Sequence, residues 1–260
     1  MKYDFELALK NSITANQNRM GQNDWFFLQR IYGEGLDKYF YRLKGIGFTG
    51  YENVLDAGCG FGQWALALAS NNKFVECVDV SETRLQFLNH LVNEIGVINV
   101  KTKLASLEKL PYENDTFDAI FSYSALYFTD HSKSLKEFAR VLKPGCRVYI
   151  CTNGLGWYFY NIATPHRPTN DHDPREISMD AIANTINILI GGNRNPKSHF
   201  ILPSHVLIEL LNGMGFSHMR CGAEGTLTDN KEVQVSNFIS EYQGHEAVYE
   251  VIATKGVDNV

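Results

Sequence analysis

The chain has 260 residues, with 24 Lys and Arg against 29 Asp and Glu, for a net charge of −5. Apolar residues make up 44% and charged residues 20%, a globular balance that excludes disordered, collagen-like and coiled-coil chains. The mild acidity lacks the basic footprint that a phosphate backbone demands, so nucleic acid is not an expected partner.

At this length one α/β core can bury roughly 70–75% of the surface of the unfolded chain, without a metal or disulfide staple. Cys59, Cys77, Cys146, Cys151 and Cys221 are odd in number and show no C-x-x-C spacing, which reads as reduced thiols. The first twenty residues carry acidic and amide side chains where a signal peptide has its apolar core. No run reaches the roughly 20 apolar residues of a membrane span. A cytoplasmic protein with no membrane span is expected.

Residues 1–50 precede the first predicted strand, and segment 23–43 gathers aromatics around Arg30 and Arg42. From Tyr51 to Thr152, short apolar runs alternate with helical patterns. Strands are predicted at 52–57, 73–80, 97–104, 117–123 and 146–152. Helices are predicted at Trp64–Ser70, Glu82–Glu94 and Ser132–Leu142, the second marked by Leu85, Leu88, Leu91 and Ile95 on one face. Strands separated by helices of this length imply βαβ crossovers and a mostly parallel, doubly wound sheet with helices on both faces. Residues 154–202 interrupt the pattern; their aromatic and Gly/Pro/Asn content predicts lids and loops rather than a second core. Pro203 and Ser204 then open a helix over His205–Met214, stopped at Gly215. Strands at Phe216–Ala223 and Ala247–Ala253 complete the sheet.

The sharpest signal is VLDAGCGFGQWALALA, residues 54–69, in which a strand runs through Gly58, Gly60 and Gly62 directly into a helix. Residues without Cβ allow a tight turn and close approach of a ligand, and the helix N-terminus favours a polar or anionic group. A dinucleotide fingerprint would need a third glycine at 63, where Gln63 stands, so no pyrophosphate is provided for. Asp79 closes the next strand at its carboxyl edge, placed to accept both hydroxyls of a ribose. A glycine loop followed by a ribose acid implies a nucleoside-bearing cofactor.

These motifs resemble the class I S-adenosylmethionine (SAM)-dependent methyltransferases, in the style of the compact small-molecule enzymes of type 11. The likeness covers roughly 50–153 and resumes weakly at 203–254. It implies an α/β, Rossmann-like fold: a seven-stranded, mostly parallel sheet, an N-terminal helical lid and an insertion after strand five. One domain is expected, with a cap at 1–50, a SAM-binding core at 51–153, a substrate-side insertion at 154–202 and the rest of the sheet at 203–260. The family's first motif falls on Asp56, Ala57, Gly58 and Gly60, its ribose acid on Asp79, and its adenine edge on Ser106 and Leu107. Ser122 and Tyr123, at the end of strand four, flank the cofactor in this scheme. Gln63, Trp64, Val80 and Arg84 complete the core set, and Trp25 and Arg30 would reach the cofactor from the lid. Where relatives commonly carry an aspartate at the adenine edge, this chain has Ser106.

The resemblance implies direct in-line transfer of a methyl group to a small-molecule acceptor, with no metal. After strand four, relatives often carry histidines where this chain has Tyr127 and Phe128. Candidate bases are therefore Tyr127, His131 and His166, while His172 in an Asp-His-Asp sequence reads as a solvated turn. Ser122-Tyr123-Ser124-Ala125 stands where an Asn-Pro-Pro-Tyr-type motif would mark amide N-methylation. A non-catalytic SAM-binding partner or sensor is the alternative, and homodimerisation stays open.

Overall fold

Strand runs with no polar face must be covered on both sides, and that requirement shapes the molecule. The computed structural model describes residues 5–166, 168–228 and 236–257. Three helices come first: α1 (Phe5–Asn16), α2 (Gln22–Tyr32) and α3 (Asp37–Gly45). Then β1 (Asn53–Ala57), α4 (Gln63–Asn71), β2 (Phe74–Asp79), α5 (Glu82–Glu94) and β3 (Val100–Leu104) alternate. They are followed by β4 (Phe117–Tyr123), α6 (His131–Val141) and β5 (Leu142–Asn153).

The second half holds α7 (Leu155–Ala163), α8 (Pro174–Leu189), α9 (Ser204–Gly213) and β6 (Phe216–Ala223). A two-residue hairpin, β7 (Glu241–Tyr242) and β8 (His245–Glu246), leads to β9 (Val248–Lys255). Seven strands form one sheet in the order β3-β2-β1-β4-β5-β9-β6. The first five are parallel; β9 runs antiparallel to both β5 and β6. The direction of winding reverses between β1 and β4, where Asp56 lies opposite Phe121, and open α/β sheets bind ligands beyond such a point.

Side chains alternate between two cores. Val54, Cys77, Phe121, Tyr149 and Ile252 pack with the N-terminal helices, α4 and α5. Leu55, Val78, Ile120, Ile150 and Val251 pack with α6 and α9 on the opposite face. Full burial of each large side chain contributes roughly 1.5–3 kcal/mol, so both layers are needed. The edge strand β3 carries Lys101 and Lys103, charges that discourage pairing with another chain.

The sheet and its helices match the predicted elements closely, with two differences. β5 begins at Leu142 rather than 146, because Leu142 pairs with Phe117 before the register shifts. The insertion is not made only of lids and loops: α7 and α8 pack together around Tyr158, Ala181 and Ile201. Asp173 starts α8 by accepting the Arg175 N–H at 2.9 Å, with Pro174 at the first helical position. Polar residues scattered through α8 hid its apolar stripe, and α7 is short and apolar nearly all round, so it shows none.

A buried ion pair ties the N-terminal cap to the far side of the sheet. Arg42 on α3 donates to the Glu250 carboxylate on β9, and both side chains are almost wholly buried. The Tyr149 hydroxyl donates to the same carboxylate at 2.7 Å, and the Leu227 N–H donates to its other oxygen at 2.7 Å. Removing the carboxylate strands a guanidinium in an apolar layer. Glu250→Ala is expected to cost about 3–5 kcal/mol in urea unfolding, with the Arg42→Met/Glu250→Leu double variant recovering much of the loss.

Candidate functional site

β1 delivers Asp56 and Ala57 to a loop whose three glycines all take left-handed backbone, at φ 84° for Gly58, 54° for Gly60 and 89° for Gly62. The N–H groups of Gly58 and Cys59 donate to the Val78 carbonyl at 2.8 and 3.1 Å, and Gly62 N–H donates to Cys59 O at 3.0 Å. A Cβ on Gly58 would stand 2.3 Å from Ala125 Cβ, and one on Gly62 would stand 2.2 Å from Leu88 Cδ1. At Gly60 the nearest heavy atom is Phe27 Cε1 at 3.9 Å. Two glycines are thus needed for packing as well as conformation, while the middle one leaves room for a Cβ beneath Phe27.

Asp79 braces this loop from β2. Its Oδ2 accepts the Gly60 N–H at 2.9 Å and its Oδ1 accepts the Ser81 N–H at 2.8 Å, leaving each oxygen a further lone pair. Val80 beside it is 72% exposed. Three buried polar atoms that flank the loop have no partner among the described residues: Asp56 Oδ2, Gln63 Oε1 and Trp64 Nε1. Burial, and then the neighbouring charge of Asp79, push the Asp56 carboxyl up to about 8. Other buried polar atoms without partners, such as Arg42 Nε, Thr152 Oγ1 and the His131 ring nitrogens, are spread through the fold, whereas these three converge on the glycine loop, where a polar ligand would meet them.

α2 lies over the loop as a lid. Phe27, which the sequence reading did not single out, is the lid side chain against Gly60, and its ring is 5.8 Å from that of Phe61. Arg30 is exposed and stacks over Phe27 at 5.0 Å, while Trp25 is half-buried. Arg84 on α5 pairs with Asp24 of the lid at 3.2 Å and covers Phe61. The buried Tyr32 hydroxyl donates to Phe61 O at 2.8 Å, so Tyr32 supports the loop from beneath.

After β3, Ser106 Oγ accepts the Glu108 N–H at 3.1 Å, and the buried Leu107 lies near the Gly58 turn. Ser122 is fully buried and donates to Ala57 O at 3.1 Å, joining β4 to β1. Tyr123 packs at a tilt against Trp64 with rings 4.7 Å apart and donates to Glu224 at 3.0 Å. Both residues build the floor under the loop.

The turn after β4 brings together groups that the sequence did not connect. Tyr127 packs against His199 with rings 4.6 Å apart; Phe128 stands on the same imidazole at 4.6 Å, and Tyr158 OH lies 3.4 Å from its Nδ1. Burial pushes His199 down to about 4 and Tyr127 up to about 12, so both are neutral at pH 7. The charges of Arg30 and Arg84 partly oppose the rise at Tyr127. No motif surrounds His199 in KSHFILP, and only the fold could have found it.

The other two candidate histidines stand on α6 and in the insertion. His131 is withdrawn from solvent: its ring stacks on Phe200 at 4.2 Å, burial lowers it to about 4, and Asp130 provides the helix cap. His166 is half-buried at the insertion, 3.0 Å from Thr164 Oγ1. The Asp-His-Asp sequence is an exposed turn at Asp171, whose carboxylate also caps α2, and Asp173 after it caps α8. No group of three or more His, Cys, Asp or Glu that could hold a metal exists among the described residues.

Residues 54–145 match the family model of a methyltransferase domain. Over that stretch the chain is similar to the class I SAM-dependent methyltransferases. It is 34% identical over 125 residues to the uncharacterized methyltransferase YcgJ of Bacillus subtilis, covering 47% of this chain and 48% of that protein. It is 32% identical over 136 residues to the ubiquinone/menaquinone biosynthesis C-methyltransferase UbiE of Geotalea daltonii, covering 48% of this chain and 56% of that one. The chain therefore spans about half the length of the curated relatives it matches. The structure of phosphoethanolamine N-methyltransferase 2 of Haemonchus contortus, bound to SAM, shares the fold with a TM-score of 0.61 at 18% identity. That likeness covers 86% of this chain and 53% of the other. No described helix is long and apolar enough to cross a membrane.

The loop geometry separates its glycines by experiment. Gly60→Ala incurs the left-handed backbone cost alone, about 1–2 kcal/mol. Gly58→Ala adds a clash with Ala125, an overpacking cost of about 1–3 kcal/mol more, read by chemical denaturation. Asp56 gives a pH signature. Its carboxyl stays protonated in the fold up to about 8 but ionises near about 4 when unfolded, so its stabilising contribution is lost as pH rises across that window. Asp56→Asn is expected to flatten that part of the stability–pH curve, measured by unfolding at pH 5 and pH 8.

Proposed function

We propose that the protein is a methyltransferase that uses SAM to methylate a small-molecule acceptor at an oxygen, nitrogen or carbon nucleophile. The observation that carries this reading is the braced glycine loop with unpartnered polar atoms on Asp56, Gln63 and Trp64 around it. Asp56 suits a cationic ammonium, because a positive charge beside it offsets the cost of ionising a buried carboxyl. The remaining lone pairs of Asp79 suit the ribose hydroxyls, and the loop at Gly60 suits the methionine arm. Ser106, Leu107 and Val80 border the expected adenine and ribose, and Trp25 and Arg30 are the lid groups available to the cofactor's carboxylate.

When bound, SAM supplies an electrophilic methyl carbon and a thioether leaving group. The chain's task is then positioning, which can lower a barrier by roughly 7–11 kcal/mol when the nucleophile is held in line. Tyr127, Phe128, Tyr158 and His199 offer an apolar wall with two neutral polar points, a phenol that donates and an imidazole nitrogen that accepts. Such a wall suits an uncharged, partly aromatic acceptor. Carbon methylation in quinone biosynthesis, which UbiE's name states for that relative, lies within this class. Tyr127 and His166 stay candidates for handling the acceptor proton, while the buried His131 is better read as core.

Calorimetry with SAM and S-adenosylhomocysteine (SAH) tests the cofactor, and SAH release over a panel of phenolic, enolic and amine acceptors tests the transfer. Asp79→Ala is expected to weaken SAM binding by about 1.5–3 kcal/mol, the usual contribution of a charged hydrogen bond. Wild-type affinity in that variant would remove the ribose assignment.

A further inference from the structure

Two segments 148 residues apart meet at the first turn of α2. The Asp171 carboxylate of the insertion accepts the Asn23 N–H through both oxygens, at 3.1 and 3.4 Å. Thr169 Oγ1 donates to the same carboxylate at 2.6 Å, and the Asn170 N–H donates to Gln22 Oε1 at 3.3 Å. The fit is so close that a Cβ on Gly21 would stand 2.0 Å from Asp171 Oδ2. Gly21 has the N-cap position of α2 but no side chain to cap with. The insertion supplies that cap, and its negative charge meets the positive end of the helix.

The rest of α2 is fastened to the cofactor loop, through Phe27 over Gly60, Asp24 to Arg84, and Tyr32 to the Phe61 carbonyl. One short helix is therefore gripped by the insertion at one end and by the glycine loop along its length. Beside the grip opens a cavity of about 290 Å³ lined in part by Thr169, His172 and Asp173.

We propose that Asp171 is a positioning residue for the cofactor lid, capping α2 from the insertion so that the lid's hold on a bound cofactor depends on the 169–173 loop. The cofactor half of this inference rests on the SAM reading above; the cap itself does not.

The test uses the full chain and SAH as the probe. Asp171→Ala is expected to raise the SAH dissociation rate about fivefold, the scale of a lost N-cap. Asp171→Asn, which keeps a carbonyl oxygen for the Asn23 N–H, is expected to fall between that variant and the wild type. Asp173→Ala strips the cap from α8 by the same chemistry, with no bond to α2 among the described residues, and is expected to keep the wild-type dissociation rate while lowering Tm. Equal effects from Asp171→Ala and Asp173→Ala, or none from either, overturn the proposal. A second arm needs no cofactor: in the free protein, Asp171→Ala is expected to speed hydrogen exchange of the amides at 23–25, and unchanged exchange overturns the cap. If the wild type binds no SAH, the SAM reading falls and the exchange arm alone decides the cap.

Discussion

The site depends on one constraint, a backbone bend between Asp56 and Gln63 that only residues without Cβ can make in this setting. Ala125 and Leu88 fill the space that side chains at Gly58 and Gly62 would need, while the Val78 carbonyl and the Asp79 carboxylate take the loop's N–H groups. Sterics and hydrogen bonds push the same way. The loop is held before any ligand arrives, so ordering costs are met during folding rather than on binding.

That bend is useful only because two layers of packing hold its surroundings in place. Ser122 ties β4 to the end of β1, Tyr123 packs against Trp64, and the ion pair of Arg42 with Glu250 joins the N-terminal cap to the antiparallel side of the sheet. The lid helix is then fastened at several points to elements distant in sequence. Charge is sparing in these layers, and the deepest pair, Arg42 with Glu250, is joined by hydrogen bonds even though two guanidinium nitrogens stay unpartnered. Beside the loop, Asp56, Gln63 and Trp64 keep polar atoms without partners, a cost that a fold tolerates where a ligand compensates.

Much of this was legible in the chain itself. Alternating apolar runs placed the strands within a few residues, because a parallel sheet buried on both faces leaves an unbroken apolar signal. The spacing of Gly58, Gly60 and Gly62 before a helix, with Asp79 one βαβ unit later, pointed to a nucleoside-bearing cofactor. The helices of the insertion were harder to see. Asn and Thr residues obscure the periodicity of α8, α7 is short and apolar nearly all round, and the two are satisfied only by packing one helix on the other.

What the sequence determined alone is what depends on neighbours along the chain: the period of the strands, the glycine bend, the acid at a strand's end and the helix starts at Ser81, Asp130 and Asp173. What only the tertiary structure decided is what depends on meetings across it. Phe27 over Gly60, Asp171 at the start of α2, and His199 beneath Tyr127 and Phe128 are such meetings, as is the withdrawal of His131 behind Phe200. The reason is physical: bond geometry and local hydrogen bonds are written into adjacent residues, whereas burial and the shift of a titrating group arise only when remote surfaces exclude water together.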